Sequence, residues 1–527
     1  MVKITRFRRA CAATSGQKTS CKISQDTLTC LHRAEWRNGR RWGLKIPCLY
    51  KACGFNSHLG YAFLLLGSSQ KINFIEAANG TLETNMAKKG PKLVDVPEPN
   101  LYRDIFPYTE FPKAVFDNRK VKYEMPSEIW ITDTTFRDGQ QSRPPYTPQQ
   151  VLHIYDLLHK IDGGTGLIRQ CEFFLYSHRD RKAVELCKER SYKYPEITGW
   201  IRAVAADFKL VSEMGLSETG ILTSASDYHI FLKLRKTRAQ AMTAYLDIVK
   251  AALDNGVIPR CHLEDITRAD YNGFILPFAA ELMKLAQQYN KPVKIRLCDT
   301  LGFGLPWPEA ALPRSVPKLI QGLRQIPVPS EWLEWHGHND LHKVQINATA
   351  AWLYGCCAAN SAIFGIGERT GNPPLEAMVI EHAQLKGVVK GVNYAAITEL
   401  AEYAQKELGF KIPYNYPLVG ADFNVTRAGI HADGLLKDEE LYNCFDTEKL
   451  LNRPVSVAIT DKTGAAGIKH WIEAKYQIEI AKHDPRVTKI KDKIDSEYAA
   501  DRVSVISDDE MFAWVREVFG DNLPPLR

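Results

Sequence analysis

Between about residue 128 and residue 395, short apolar runs alternate with longer segments whose apolar residues recur every three or four positions. The short runs predict eight strands, at Ile129–Thr134, Leu167–Phe174, Gly199–Ala205, Glu218–Thr223, Ile258–Leu263, Val293–Leu297, Glu331–Trp335 and Ser361–Phe364. The longer segments predict helices, such as Pro148–Ile161 and Ala239–Asn255, the second followed by the helix-stop residue Gly256. Eight strand and helix pairs in about 270 residues are typical of a (β/α)8 barrel. The predicted fold class is therefore α/β with a TIM barrel, and a doubly wound sheet is the alternative.

Reactive side chains come at or after the ends of the predicted strands. In chain order they are Arg137 and Asp138, Glu172, Arg202, Thr223, Ser224 and His229, Glu264 and Asp265, Asp299 and Thr300, His336 and His338, and Gly365–Arg369. A closed parallel barrel brings all these strand ends to one face, where the active sites of such barrels lie. We therefore expect one site assembled from residues that are scattered in sequence.

A metal site is predicted on this face. His336 and His338 are two positions apart at the end of a strand, so their imidazoles point the same way. Asp138 is a hard oxygen ligand that could complete the site, and Arg137 is a fixed cation suited to a carboxylate or an oxyanion. The alternatives are a chance His-x-His pattern and a surface ion pair between Arg137 and Asp138.

Composition indicates a soluble protein, with 45% hydrophobic and 24% charged residues and no run near the roughly 18 apolar residues of a membrane span. The net charge of +7 is concentrated in residues 1–60, which carry +10 and leave about −3 for the rest. A nearly neutral body argues against nucleic acid as the main partner. The scattered cysteines beyond this segment are typical of reduced core residues, so we expect a cytoplasmic protein with no membrane partner.

Five segments are predicted along the chain. Residues 1–85 form a basic extension, either a targeting peptide or, as we favour, an upstream extension of the reading frame, because Met86 begins an ordinary cytosolic amino terminus. The others are an arm (86–127), the catalytic barrel (128–395), a linker subdomain that carries His431 (396–445) and small, mainly helical C-terminal subdomains (446–527).

Four motifs occur in order along the chain: Asp133–Gly139 (DTTFRDG), His336–Asp340 (HGHND), Gly367–Asn372 (GERTGN) and Gly429–Gly434 (GIHADG). In combination they resemble the metal-dependent acyl-CoA:2-oxoacid condensing enzymes, a family that includes 2-isopropylmalate synthase, homocitrate synthase and Re-type citrate synthase. The similarity runs from about residue 128 to residue 445.

The resemblance implies a set of roles for individual residues. A divalent metal, Mn²⁺, Mg²⁺ or Zn²⁺, would be bound by Asp138, His336, His338 and Asn372. Arg137 would stabilise charge on the keto oxygen, Thr300 would bind the substrate carboxylate, and the other substrate-binding positions would be Gln141, Arg202 and Glu368. Protons or the hydrolytic water would be handled by Glu264, His431 and Tyr442. In the family the last two come from the partner subunit, which implies a homodimer with an active site completed in trans.

The implied reaction is a Claisen-type condensation of acetyl-CoA with a small-molecule 2-oxoacid, followed by thioester hydrolysis. Phe136, His342, Val344 and the run Glu172–Tyr176 depart from the family pattern at the substrate end of the barrel. Only about 80 residues follow the His431 region, so leucine feedback is not expected. These features favour oxaloacetate, giving citrate, ahead of 2-oxoglutarate, giving homocitrate.

Other activities remain open from the sequence. An unregulated 2-isopropylmalate synthase or a citramalate synthase fits the same motifs. The related acyl-CoA lyases carry a Gly-Cys-Pro loop that this sequence lacks. A non-catalytic acyl-CoA or metal sensor is disfavoured, because such a protein need not retain both the metal ligands and the proton-transfer residues.

Overall fold

The computed structural model describes residues 21–24, 27–30, 90–481, 483–520 and 523–525. The chain divides into two units, Met1–Asn85 and Met86–Arg527. In the first unit Cys21–Ser24 and Thr27–Cys30 pair as an antiparallel hairpin. The interpretation of residues 1–85 as an extension otherwise falls outside the described residues.

Eight parallel strands of the second unit close into a barrel. They are β1 (Trp130–Asp133), β2 (Ile168–Phe174), β3 (Glu196–Arg202), β4 (Glu218–Ser224), β5 (Ile258–Glu264), β6 (Lys294–Asp299), β7 (Leu333–Gly337) and β8 (Ala358–Ser361). The barrel closes where β8 pairs with β1, with Ala358 opposite Trp130. The predicted TIM barrel is confirmed, and the doubly wound alternative is wrong.

A helix follows each barrel strand. These helices are α1 (Pro148–Asp162), α2 (His178–Glu189), α3 (Phe208–Glu213), α4 (Arg238–Asp254), α5 (Leu276–Tyr289), α6 (Val316–Gln325), α7 (Val344–Leu353) and α8 (Leu375–Lys386). Local sequence sets their starts, since Thr147 before α1 and Thr237 before α4 each form a capping box with the glutamine three residues later. Gly163 ends α1 in the left-handed conformation.

Two predicted strands lie three residues too far along the chain. The third was expected at Gly199–Ala205 but spans Glu196–Arg202, and the eighth shows the same shift. It was expected at Ser361–Phe364 but spans Ala358–Ser361. Ile363–Gly365 instead form a 3-10 turn in which Phe364 has a φ of 51°. The apolar pair Ile363 and Phe364 resembles a strand in sequence, yet its backbone already turns toward the Gly367–Asn372 motif.

The lower part of the barrel interior contains charged side chains in place of the usual aliphatic layers. We call this set the interior ion layer; its members are Glu172, Glu218, Arg260, Lys294, Arg296 and Glu334. Outward-facing strand residues such as Ile131, Leu297 and Trp335 instead join the hydrophobic core between the strands and the helices. The alternation of strand side chains therefore separates an aliphatic shell from a charged interior.

The region after the barrel is mainly helical, as predicted. Its elements are α9 (Ala396–Glu407), β9 (Val425–Thr426), α10 (Gly429–Leu435), α11 (Thr447–Leu451), β10 (Ser456–Val457), α12 (Gly464–Tyr476), α13 (Pro485–Ala499) and α14 (Asp508–Phe519). Residues from α10 and α12–α14 build a second hydrophobic core, which includes Leu435, Trp471 and Ile490.

The described part of the N-terminal arm, from residue 90, lies along the barrel helices. The Val94 carbonyl accepts a hydrogen bond from the buried guanidinium of Arg238, which also pairs with Asp227 and Asp270. Within the described residues, no helix has the length and apolar character needed to cross a membrane.

Candidate metal and substrate site

Asp138, His336 and His338 form a buried group at the carboxyl end of the barrel, which we call the metal group because a metal site is predicted there. A carboxylate oxygen of Asp138 and one ring nitrogen of each histidine all lie within 4.8 Å of one another. Asp138 lies in the loop after β1, His336 in β7 and His338 directly after it. Glu334 points into the barrel, so the alternation of the strand directs His336 and His338 inward as well. The structure therefore brings together the three predicted ligands.

The environment of His336 fixes its tautomer. Asn360 of β8 donates its side-chain amide to the Thr132 carbonyl, and its Oδ1 therefore faces His336 Nδ1 at 2.8 Å. His336 must donate from Nδ1, which leaves the lone pair of Nε2 pointing at His338 Nε2, 3.2 Å away. A histidine ligand oriented by a second hydrogen bond in this way is typical of metal sites.

Asn372 lies against the same group. Its Nδ2 donates to Asp138 Oδ2 at 2.7 Å, while its buried Oδ1 has no hydrogen-bond partner. Gly367 makes this approach possible, since a Cβ there would lie 2.2 Å from Asn372 Nδ2 and 2.8 Å from Asp138 Oδ2. One carboxylate, two imidazoles and an unpaired amide oxygen are a donor set that fits a divalent cation.

The protonation states also suit a cation. Burial raises the pKa of Asp138, but Arg137, the two histidines and the hydrogen bond from Asn372 together lower it to about 2. Burial lowers the pKa of both imidazoles, that of His336 to about 3. A carboxylate and two neutral imidazoles are the forms in which these side chains bind metals.

Arg137 connects this group to an aromatic wall. Its Nη1 donates to Asp138 Oδ1 at 2.9 Å, and its guanidinium carbon lies 4.6 Å from the centre of the Trp200 ring. Its Nε is buried, has no hydrogen-bond partner and lies 4.0 Å from Glu172 Oε2. A fixed cation with a free N–H beside the metal group is suited to an oxyanion.

Glu264 lies at the end of β5 in a polar network. It accepts hydrogen bonds from Ser224 and from Lys233 Nζ at 3.1 Å, and its Oε2 lies 3.1 Å from His229 Nδ1. Burial raises the pKa of Glu264, but His229, Ser224 and Lys233 together lower it to about 2. Glu264 is thus held ionised. The π-helical turn Tyr228–Lys233 brings His229 and Lys233 to this carboxylate.

The predicted substrate-binding residues differ in their surroundings. The Thr300 hydroxyl accepts a hydrogen bond from the Asp265 N–H at 2.8 Å, which leaves its own proton available. Arg202 is already paired through Nε and Nη2 with Asp207, both at 2.9 Å. Gln141 and Glu368 are exposed beside the loops that carry Asp138 and Asn372.

His431 and Tyr442 lie together in the linker subdomain. Their ring centroids are 4.3 Å apart, and Gly434 makes room for the tyrosine, because a Cβ there would lie 2.4 Å from Tyr442 Cε2. Among the described residues, no hydrogen bond, ion pair or ring contact joins either side chain to Asp138, His336 or His338. Within one chain, this pair therefore makes no such contact with the metal group.

Sequence reasoning missed several residues of the site. Asn360, which orients His336, lies in the short strand Ala358–Ser361, just before the predicted eighth strand at Ser361–Phe364, so no sequence signal marked it. Lys233 follows His229 by one turn, and that spacing indicates that both face the same side. Trp200 gave no signal beyond that of an apolar strand residue.

Comparison with known proteins defines the class to which this barrel and site belong. The model of the HMGL-like family matches residues 128–403. The chain therefore belongs to the HMGL-like family. Together with the relatives described next, this confirms the resemblance inferred from the motifs and the assignment of the chain as an acyltransferase.

Particular relatives narrow the class further. The chain is 54% identical over 432 residues to the Citrate (Re)-synthase of Clostridium kluyveri, a match that covers 81% of this chain and 95% of that protein. It is 55% identical over 431 residues to the Citrate (Re)-synthase of Syntrophus aciditrophicus, covering 81% and 68%. A 2-phosphinomethylmalate synthase of Streptomyces hygroscopicus is 39% identical over 429 residues, covering 80% and 97%.

Proposed function

We propose that this chain is a Re-type citrate synthase. It condenses acetyl-CoA with oxaloacetate and hydrolyses the resulting thioester, which gives citrate and CoA. The observation that carries the proposal is the buried group of Asp138, His336 and His338 with the Arg137 guanidinium against it. The two relatives named Citrate (Re)-synthase, at 54% and 55% identity, favour oxaloacetate over the other 2-oxoacids that this chemistry accepts.

Asp138, His336, His338 and the free Oδ1 of Asn372 would hold the divalent ion. Mn²⁺, Mg²⁺ and Zn²⁺ all accept such a mixture of oxygen and nitrogen ligands. When bound, the ion supplies Lewis acidity to the carboxylate and keto oxygens of the 2-oxoacid. Asn360 and Gly367 support the site indirectly, the first by orienting His336 and the second by leaving space for Asn372.

The side chains around the metal group then have distinct roles. Arg137 stabilises the negative charge that grows on the keto oxygen as the new carbon–carbon bond forms. The hydroxyl of Thr300 donates a hydrogen bond to the carboxylate of the 2-oxoacid. Glu264 is ionised, so it accepts a proton from the acetyl methyl group and does not donate one. Gln141 and Glu368 bind the substrate at the rim of the site. Arg202, which is held in place by Asp207, contributes positive charge there.

The active site requires a homodimer, in which His431 and Tyr442 of one subunit reach the barrel of its partner and act on the hydrolytic water. Support comes from the surface around this pair, where Ile430 is 74% exposed and Leu441 is 57% exposed. Two exposed aliphatic side chains beside a histidine and a tyrosine are suited to a partner surface.

Mixing two inactive variants tests this arrangement. The Asp138→Ala subunit lacks a metal ligand in its own barrel, and the His431→Ala subunit lacks the histidine that it contributes to the partner's site. Each homodimer is therefore inactive. In a mixed dimer one of the two sites retains both groups, and full subunit exchange should restore up to about one quarter of the wild-type activity. No recovery after exchange, verified by tagged subunits, would contradict completion in trans.

A substrate panel tests the reaction itself. The full chain with Mn²⁺ and acetyl-CoA should release free CoA thiol with oxaloacetate, and EDTA should stop the release. 2-Oxoglutarate, 2-oxoisovalerate and pyruvate should each support slower release. Faster release with one of these three would reassign the enzyme to a homocitrate, 2-isopropylmalate or citramalate synthase. If folded, metal-loaded protein released no CoA with any of the four acids, the result would favour a lyase or a sensor.

We also propose a cytoplasmic location. Of the seven cysteines described after residue 90, six are buried free thiols, namely Cys171, Cys187, Cys261, Cys298, Cys356 and Cys357. Buried reduced cysteines are typical of proteins that work in a reducing compartment.

A further inference from the structure

The mouth of the barrel has an aromatic wall on the side of β2 and β3. Phe174 and Trp200 meet edge to face, with ring centroids 5.5 Å apart and planes at 89°. Tyr176 lies 6.4 Å from Trp200 and completes the wall. Glu172 and Thr198 both contact Arg260 inside the barrel, so the alternation of the strands directs Phe174 and Trp200 inward as well.

Trp200 has a buried polar atom without a partner. Its side chain is 8% exposed, and its indole Nε1–H makes no hydrogen bond. Leaving a buried donor unpaired costs free energy, so such a group needs an explanation. Trp335 and Trp352 also have unpaired indole N–H groups, but both belong to the hydrophobic core outside the barrel, and Trp200 does not.

The other donors near this wall are mostly occupied. Arg202 donates hydrogen bonds from Nε and Nη2 to the Asp207 carboxylate, and the Tyr176 hydroxyl donates a hydrogen bond to the same carboxylate at 2.8 Å. The buried donors that stay unpaired here are Trp200 Nε1 and Arg137 Nε. The Arg137 guanidinium contacts both Asp138 and the indole: its Nη1 lies 2.9 Å from Asp138 Oδ1, and its central carbon lies 4.6 Å from the Trp200 ring centre.

We propose that Trp200 is a specificity-determining residue, whose indole N–H donates to the distal carboxylate of the 2-oxoacid. The inference rests on the proposed function, in which the 2-oxo end of the substrate lies at the metal group and Arg137. The distal carboxylate of oxaloacetate is two bonds from the keto carbon, and the unpaired buried donor on the ring that packs against Arg137 is the indole N–H of Trp200. Pyruvate, which lacks this carboxylate, cannot use the contact.

The test compares binding of two acids to three variants of the full chain. Trp200→Phe keeps an aromatic ring under Arg137 but removes the N–H. Replacing Trp200 by 3-benzothienylalanine removes only the N–H from a ring of the same shape. Trp352→Phe is the matched control, because it deletes an equally unpaired indole N–H from the core behind the barrel. Calorimetry on Mn²⁺-loaded protein gives dissociation constants for oxaloacetate and pyruvate.

Both Trp200 variants should bind oxaloacetate on the order of ten- to a hundredfold more weakly, the range expected for one hydrogen bond to a charged group. Their affinity for pyruvate should change by less than about threefold, and Trp352→Phe should change neither constant. Unchanged oxaloacetate affinity in the benzothienylalanine variant, or an equal loss for both acids, would overturn the role of Trp200. Wild-type protein that shows no CoA release with oxaloacetate would instead overturn the proposed reaction, so the two failures are distinct.

Discussion

The two levels of the barrel interior contain similar side chains but differ in how these are paired. In the interior ion layer Arg260 lies 2.9 Å from both Glu172 and Glu218, and Arg296 lies within 3.0 Å of Glu172 and Glu334. Each acid there has a basic partner. At the mouth above it, two imidazoles share one carboxylate, and Asn372 Oδ1, Arg137 Nε and Trp200 Nε1 have no partner.

This difference in pairing distinguishes side chains that support the fold from side chains suited to bind a ligand, although both line one cavity. Buried charges are tolerated when opposite charges and hydrogen bonds surround them, and the lower level meets that condition. Unpaired buried donors and acceptors are costly. Arg296 Nε in the lower level also lacks a hydrogen bond, but the mouth has four such atoms, on Arg137, Trp200, His338 and Asn372, which a ligand would satisfy. Glu172 belongs to both levels, since it pairs with Arg260 and Arg296 and lies 4.0 Å from Arg137 Nε.

Removing a ligand from the mouth should have the largest effect. His338→Ala should lose the bound metal and all measurable turnover, because the remaining donors cannot hold a divalent ion tightly. Metal content by mass spectrometry and CoA release together check this. His342→Ala, a histidine of the same loop outside the ligand group, should retain its metal. Full activity in His338→Ala would refute the assigned site.

Breaking a pair in the interior ion layer should instead reduce stability. Arg260→Met leaves Glu172 and Glu218 short of a partner and should lower the free energy of unfolding by about 3–5 kcal/mol. Arg190→Met removes an exposed pair with Asp156 and should leave the free energy of unfolding nearly unchanged. Denaturant titrations measure both. Equal losses in the two variants would show that the layer is not a structural element.

Arg137 lies between the two levels and should affect the chemistry more than the stability. Arg137→Ala should lower kcat about a hundredfold or more, because it removes the cation from the developing oxyanion. The variant should still bind metal, which distinguishes this role from that of Asp138. Metal loss in Arg137→Ala would show that the arginine acts mainly by holding Asp138 in place.

The smallest effect is expected at Asn360, which orients His336 and is not itself a proposed metal ligand. Asn360→Ala removes the acceptor that fixes the His336 tautomer and should weaken metal binding about ten- to a hundredfold. Competition with a fluorescent chelator measures the change. Asn347→Ala, which alters a buried asparagine of α7 that bonds to the Gly304 carbonyl, serves as the control and should leave metal affinity unchanged.

Much of the fold and the core of the site were predictable because they depend on local patterns. The spacing of apolar residues distinguishes strands from helices, and eight alternations require a closed barrel. The positions of Asp138, His336 and His338 after strand ends then brought them to one face. The roles of Glu264, His431, Tyr442 and the rim residues remain predictions.

The sequence by itself determined the barrel, the clustering of Asp138, His336 and His338 and the family, because periodicity and motif order are properties of the chain. The tertiary structure alone decided which side chains meet across the barrel. Arg260 reaches Glu172 on a distant strand, Asn360 orients His336, and Trp200 lies under Arg137. Periodicity shows whether a strand residue faces the inside or the outside of the barrel. The stagger of the strands in the closed barrel determines its position along the barrel axis, and that position decides which side chains it contacts.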